Sequence, residues 1–216
     1  MSASRPVQAA ASDGIRRTVS RLPRERRVDD ITKAARAVFE EKDYQTALMS
    51  EIAARAGVVE GTIYRYFENK RALLVRVLEQ WYETLLAENR TLGAISGTEA
   101  RLRALVWRHL TSIRQHPALS RLMFQEIRPD PGYRATKRYA HNRAYTQQVG
   151  VIVRHGVAVG EFAPGIPAAL IRDMIYGCIE HHTWAFLRGE GDFAIDAAAD
   201  AIAGLICRGL APPPPR

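Results

Sequence analysis

Residues Met49–Phe67 read MSEIAARAGVVEGTIYRYF, and their spacing predicts two short helices joined by a tight turn. Ile52, Ala53 and Ala56 give the first helix a small apolar face, and Gly57 falls where the turn needs a residue tolerant of positive φ. In the second helix Ile63 faces back onto Ala53, with Val58 of the turn beside it, and the small alanine lets the helices cross closely. The opposite face carries Glu60, Thr62, Tyr64, Arg65 and Tyr66. Hydroxyls, a guanidinium and aromatic rings are the groups that bond phosphates and base edges when a helix enters the major groove. An ordinary helical hairpin with a polar outside shares the Ala, Gly and Ile offsets, so the flanking residues must decide.

Upstream, Ile31, Ala35, Val38 and Phe39 recur at three and four, which predicts a helix from Arg24 to near Lys42 that buttresses the pair. Downstream, Leu73, Leu74, Val77, Leu78, Trp81 and Leu85 predict a long amphipathic helix from Asn69 to about Asn89. It joins the head to the rest of the chain and is placed to transmit a shift. Further helical patterns run from Glu99 to Gln115, from Pro117 to Ile127, and from Gly132 to about His155, where Gly156 to Gly160 ends the last of them. Ala168 to Leu187 and Phe193 to Leu210 complete the set, with Gly177 and Gly204 expected to permit close helix approach. No strand pattern and no internal repeat occurs.

The expected fold class is all-α, with about nine helices: an N-terminal three-helix helix-turn-helix DNA-binding domain and a C-terminal helical bundle. The expected divisions are a disordered basic arm at 1–22, the head at 23–70, the bundle at 71–210, and a Pro-rich tail at 211–216. The arm adds either phosphate attraction or merely solubility. Because Ala168 to Leu187 is apolar almost all round, the last two helices are expected to form a homodimer contact, with Ile202 and Ile206 in it.

The net charge of +8 is unevenly placed. Residues 1–27 hold seven Arg against Asp13 and Glu25, and residues 101–143 hold ten Lys or Arg against Glu126 and Asp130. No uncharged apolar run reaches the roughly 18 residues of a membrane span, and the N-terminus lacks the apolar core of a signal peptide. The expectation is a cytoplasmic protein without a membrane partner. Cys178 and Cys207 sit in apolar helical patterns and read as buried, inert thiols, with a redox switch as the alternative. Motifs for hydrolase, nucleotide-binding or zinc chemistry are missing, so no catalytic residue, cofactor or metal is assigned. Glu180-His181-His182 could suggest a metal cluster, but adjacent helical residues point about 100° apart. A pocket or interface histidine is the better reading.

From Ile31 to Leu74, and above all in IAARAGVVEGTIYRYFENKRALL (Ile52–Leu74), the chain resembles the DNA-binding domain of the TetR family of bacterial transcriptional regulators. The resemblance implies a homodimer on a palindromic operator that is released when a small molecule enters the C-terminal domain, which makes 71–210 the ligand-binding and dimerisation domain. It also implies phosphate contacts from Thr62, Tyr64, Tyr66 and Lys70 and base reading by Arg65, with Glu60 on the same face. The departures are Asp43 where the family has Gly, Ala47-Leu48 where it has a hydroxyl pair, and Val59 where it has Ser. Asp43 can still adopt the left-handed conformation at some cost, and Thr46 and Ser50 are the nearest hydroxyls left for DNA. A lost cap costs about 1 kcal/mol. The alternative function is therefore a small-molecule-binding or interaction protein with weakened operator binding.

Between Gln125 and Trp184, chiefly in GVIVRHGVAVGEFAPGIPAALIRDMIYGCIEHHTW (Gly150–Trp184), the chain is similar to TetR-type regulators of fatty-acid degradation, which respond to long-chain acyl-CoA. Such a ligand needs an apolar tunnel with a basic mouth. Leu110, Phe124, Tyr145, Met174 and Trp184 are the candidates for the tunnel. Arg114, Arg121, Arg128, Arg134 and Arg138 are the candidates for the mouth, Arg128 and Arg138 foremost. The function expected is a ligand-responsive transcriptional repressor, not an enzyme, with operator DNA and a lipophilic ligand as partners.

Overall fold

The computed structural model describes residues 23–131 and 137–213, with the side chains of residues 137 and 138 outside the described set. The arm at 1–22, Arg134, the Arg138 side chain and the last three residues of the tail thus lie outside the described residues. Among the described residues there are ten α-helical segments and no strand. None of these helices is long and apolar enough to cross a membrane.

Helix α1 (Arg24–Glu41) buries Ile31, Thr32, Ala34, Ala35, Val38 and Phe39, a stripe at helical spacing. It is followed by α2 (Met49–Arg55) and α3 (Glu60–Tyr64), with Gly57 at φ +65° in the turn between them. Helix α4 (Lys70–Asn89) is capped by Asn69, whose side chain accepts from the Ala72 N–H at 2.8 Å. A short 3₁₀ turn, Arg90–Ala94, leads to α5 (Thr98–Gln115). The first turn of α5 gains a partner from a distant loop, since Glu161 Oε2 accepts from the Thr98 N–H at 3.0 Å.

Pro117 opens α6 (Pro117–Leu122), which widens into a π turn at Met123–Ile127. The long seventh helix expected from the sequence is two segments, α7 (Lys137–Thr146) and α8 (Gln148–Ala158), broken at Gln147. It also runs past Gly156 and stops at Gly160, which takes φ +80°. Gly156 has a packing role instead: a Cβ there would lie 2.5 Å from the Phe162 ring and 2.9 Å from Thr98 Cγ2. Helices α9 (Ala168–Leu187) and α10 (Ile195–Leu210) close the chain.

Two apolar cores result. One joins the head to the body: Ile31, Phe39, Ile52, Ile63, Leu73 and Leu74 share it with Leu119, Leu122, Met123 and Ile127 of the α6 region and with Tyr145 of α7. The other is built from α5, α8, α9 and α10, with Leu105, Leu110, Ile152, Ile175, Ile179 and Ala199 at its centre. Tyr176 packs against both.

Several sequence expectations are corrected by this packing. Among the described residues no non-glycine residue has positive φ, so Asp43 is not left-handed; Lys42 ends α1 in an extended conformation instead. Among the described residues neither Gly177 nor Gly204 marks a close helix crossing, since the three atoms nearest an added Cβ at Gly204 all belong to Arg208 and none lies within 4 Å at Gly177. Cys178 is exposed, whereas Cys207 is buried and its thiol is pushed up to about 11 by desolvation. Ile202 is buried within the chain's own second core, and Ile206 is packed against it. The exposed apolar residues on the last two helices are Leu170 (52%), Met174 (52%) and Leu205 (65%).

Candidate functional site

The head presents its exposed face through α3. Val58 N–H bonds the Ala53 carbonyl at 3.0 Å and Ala56 N–H the Ile52 carbonyl at 2.9 Å, so the turn is closed by backbone alone. Ile52, Ala53 and Ile63 are buried beneath it. That packing leaves Glu60, Tyr64 and Arg65 exposed, with Thr62 and Tyr66 half-buried. Tyr64 donates to Glu60 Oε1 at 3.4 Å, and the Arg24 guanidinium lies 5.8 Å from the Tyr66 ring centroid. Ser50 is exposed in the first turn of α2, and exposed Thr46 donates its hydroxyl to the Asp43 carbonyl at 3.0 Å.

Neither short helix has a side-chain cap at its N-terminus, where Leu48 and Val59 stand. In α2 the loss is half made good, because Glu51 Oε2 accepts from the Leu48 N–H at 3.3 Å. The Lys42 ammonium and that N–H hold the Glu51 carboxyl below the usual range. A bidentate pair from Arg55 to Glu41, at 2.6 and 2.8 Å, ties α2 to the end of α1.

Lys70 is placed differently from a free phosphate ligand. Its ammonium donates to the carbonyls of Tyr44 at 2.7 Å, Ala47 at 3.0 Å and Gln45 at 3.3 Å, and lies 4.6 Å from the Tyr44 ring centroid. An ammonium has three N–H groups, and here three carbonyls receive them. The residue clamps the α1–α2 loop onto the start of α4.

The second feature is a cavity of about 310 Å³ at the seam between the two cores. Tyr82 of α4, His109 of α5 and Phe124 and Arg128 beside the π turn form part of its wall. Tyr139, Asn142 and Tyr145 of α7 and Tyr176 of α9 form the rest of the inner lining, with Arg143, Arg172, Asp173 and Glu180 also on the wall. Tyr145 OH and His109 Nδ1 are 3.1 Å apart, and Tyr82 OH donates to Asn142 Oδ1 at 3.3 Å. The His109 and Tyr176 rings meet edge to face at 4.9 Å. Tyr176 OH is buried and has no hydrogen-bond partner. Arg128 pairs with Glu180 and sits 5.4 Å from the Phe124 ring centroid.

Enclosure of the imidazole, and after it the Arg128 charge, bring His109 down to about 4. Desolvation raises the phenols of Tyr145 and Tyr176. At neutral pH His109, Tyr145 and Tyr176 are therefore an uncharged set of donors and acceptors, on a wall that also carries Arg128, Arg143, Arg172, Asp173 and Glu180.

Of the ligand candidates, Phe124, Arg128 and Tyr145 come together at this cavity. Leu110 is fully buried in the second core, and Met174 is on the surface. Trp184 lines a separate shallow depression with Gly177, Glu180 and His181. Arg114 and Arg121 hold helices together instead: Arg114 bonds Asp192 and the Phe193 carbonyl, and Arg121 the Leu187 carbonyl. His182 packs against Phe193 at 5.9 Å while Glu180 turns to Arg128, so that trio diverges. Sequence reasoning missed Tyr82, His109, Asn142 and Tyr176. For Tyr82, His109 and Tyr176 the signal was a polar ring inside an otherwise apolar helical stripe, whereas Asn142 in the polar run KRYAHNRAYT carried none.

A helix-turn-helix head that shares its core with an all-helical body defines the class of helical transcriptional regulators. Residues 31–77 match the model for bacterial regulatory proteins of the TetR family, and residues 96–210 match that for the tetracyclin repressor-like C-terminal domain. The chain belongs to the TetR family. The fatty acid metabolism regulator protein of Bacillus subtilis is 24% identical over 181 residues, spanning 83% of this chain and 93% of that one. The transcriptional activator FasR of Mycolicibacterium smegmatis is 34% identical over 113 residues, 52% of each chain. Among solved structures, the fatty acid degradation regulator FadR of Bacillus halodurans has a TM-score of 0.72 at 26% identity, covering 84% of this chain and 98% of its own. FadR of Bacillus subtilis, solved with stearoyl-CoA, has the same fold at a TM-score of 0.74 and 23% identity over the same shares of the two chains.

Two measurements test this geometry. Lys70→Met should lower the free energy of unfolding by about 2 kcal/mol in urea titration without DNA, because a charged donor to three carbonyls is lost; an unchanged midpoint would return Lys70 to phosphate contact. For His109, the unfolded imidazole takes a proton near pH 6.5 but the folded one only near 4, so the unfolded state binds the extra proton between those values. Stability is fully present above pH 6.5 and falls as pH drops towards 4. His109→Gln should flatten that fall by about 2 kcal/mol between pH 6.5 and 5, read from denaturant titrations at the two pH values.

Proposed function

We propose that this TetR-family regulator is a cytoplasmic homodimeric repressor that holds a palindromic operator through α3 and releases it when a lipophilic acid, foremost a fatty acyl-CoA, enters the cavity. The observation that carries this reading is the cavity's position. Its wall includes Tyr82 of α4, and α4 begins at Lys70, the residue that clamps the head's first loop. An occupant that parts Tyr82, Tyr145 and Tyr176 shifts α4 and with it the spacing of two recognition helices in a dimer. With Arg128 paired to Glu180 and Arg172 to Asp173, Arg143 leaves the wall an excess of one positive charge, which suits an anionic head group. The similarity to fatty acid metabolism regulators, one of them solved with stearoyl-CoA, supports the same ligand class. Exposed Leu170, Met174 and Leu205 supply an apolar surface on α9 and α10 that a second copy would cover.

A second reading rests on Leu48 and Val59, which leave both head helices uncapped. It is a ligand-binding protein with weak operator grip. Operator selection from a random DNA pool at moderate salt separates the two, because only the repressor enriches a palindrome.

The enriched operator then tests the ligand. Acyl-CoA should displace it while free CoA and the methyl ester of the same acid do not. Each buried methylene should add about 0.8 kcal/mol to affinity until the cavity is full. Flat affinity from short to long chains, or equal release by free CoA, removes the acyl-CoA reading. Leu205→Glu should yield monomer in sedimentation, and a variant that stays dimeric moves the interface elsewhere.

A further inference from the structure

Val59 is 74% exposed, more than any other large apolar side chain among the described residues. It stands directly ahead of α3 in an extended conformation, at φ −82° and ψ 149°, and its carbonyl accepts from the Thr62 N–H at 2.8 Å. That bond starts α3 through the backbone alone, so the Val59 side chain has no part in holding the turn. Its neighbour Val58 packs against the core of the head. Of two adjacent valines, the fold uses one and leaves the other in water.

Gly61 gives a second observation on the same stretch. It is exposed, on the outer side of α3 with Arg65 and away from the buried Ile63. Its φ is not positive, and a Cβ built there would meet nothing within 4 Å. Glycine weakens a helix interior, yet neither a turn nor a close neighbour among the described residues requires it here. The use left for a bare backbone at this point is the close approach of something outside the chain.

The motif supplies the partner's class. The second helix of a helix-turn-helix lies in the major groove of DNA, and its first residues reach the base edges. A valine side chain neither donates nor accepts a hydrogen bond, so phosphates and the polar edges of the bases offer it nothing. The one apolar group that projects into the major groove is the C5-methyl of thymine. We propose that Val59 is a specificity-determining residue, whose methyls pack on the C5-methyl of one thymine in each operator half-site, with Gly61 letting α3 sit close enough for that contact. This rests on the repressor reading above. The residue that leaves α3 without a side-chain cap thereby gains a use. Leu48, 55% exposed ahead of α2, is the natural control, because the first helix of such a motif crosses the phosphate backbone instead.

The operator enriched from the random pool carries the test. Each of its thymines is replaced in turn by deoxyuridine, symmetrically in both half-sites, which removes a methyl and leaves base pairing unchanged. The Kd of the full chain is then measured by fluorescence anisotropy. At one thymine per half-site the replacement should weaken binding by about fourfold for each methyl removed, the worth of one buried methyl group. Val59→Ser should bind the thymine and deoxyuridine operators equally, whereas Leu48→Ser should keep the difference. Gly61→Ala should unfold at a higher urea concentration than the unchanged chain and yet bind the operator several-fold more weakly, a combination that a merely structural glycine does not give. The proposal is overturned if no thymine shows the effect, if Val59→Ser keeps it, or if Gly61→Ala binds as tightly as before. Failure to enrich any palindrome sinks the repressor reading and this one with it; an enriched operator without a Val59-dependent thymine sinks this one alone.

Discussion

A three-helix head of about fifty residues cannot bury enough apolar surface to stand comfortably alone, and this constraint shapes the molecule. The head's core does not stop at α3. It runs on through Leu73, Leu74, Val77 and Leu78 of α4 and takes in Leu119, Leu122, Met123 and Ile127 of the α6 region. The exposed face of α3 is thus one surface of a core that also belongs to the body. A change in how α6 or α4 packs reaches Ile52 and Ile63 through contiguous side chains.

The two cores meet at a polar seam. Tyr82, Tyr145, Tyr176 and His109 are packed ring against ring there, and their polar tips are only partly matched: Tyr145 has His109, Tyr82 has Asn142, and Tyr176 OH has none. An apolar seam would have joined the cores into one. A partly satisfied polar seam in low dielectric has a reason to rearrange when new partners arrive. The π turn at Met123–Ile127 adds to this, since it brings Phe124 and Arg128 to the cavity wall and since such turns recur at functional sites.

Lys70 shows how one residue can answer to both sequence and structure. The motif around it marks it as a DNA contact, while the fold surrounds its ammonium with the carbonyls of Tyr44, Gln45 and Ala47. The clamp also bears on the missing caps. With Leu48 and Val59 unable to accept a hydrogen bond, the loop before α2 is held from outside by Lys70, and α2 itself by Glu51 and the Arg55–Glu41 pair.

The sequence by itself determined the all-helical class, the turn at Gly57, the burial of Ile52, Ala53 and Ile63, and the exposure of Glu60, Tyr64 and Arg65. These follow from period and turn chemistry, which act over a few residues and are written along the chain. It also placed Phe124, Arg128 and Tyr145 among the ligand candidates. Only the tertiary structure decided which side of each later helix faces inward. Helix α9 is apolar almost all round, so its period does not say that Ile171, Ile175 and Ile179 are inside while Leu170, Met174 and Cys178 are out. The same holds for Ile202 against Leu205, for Leu110 in the core instead of the cavity, and for the meeting of Tyr82 with Tyr145 and Tyr176. Those contacts join residues far apart in the chain, and they depend on the rotation and crossing of whole helices, which no local spacing specifies.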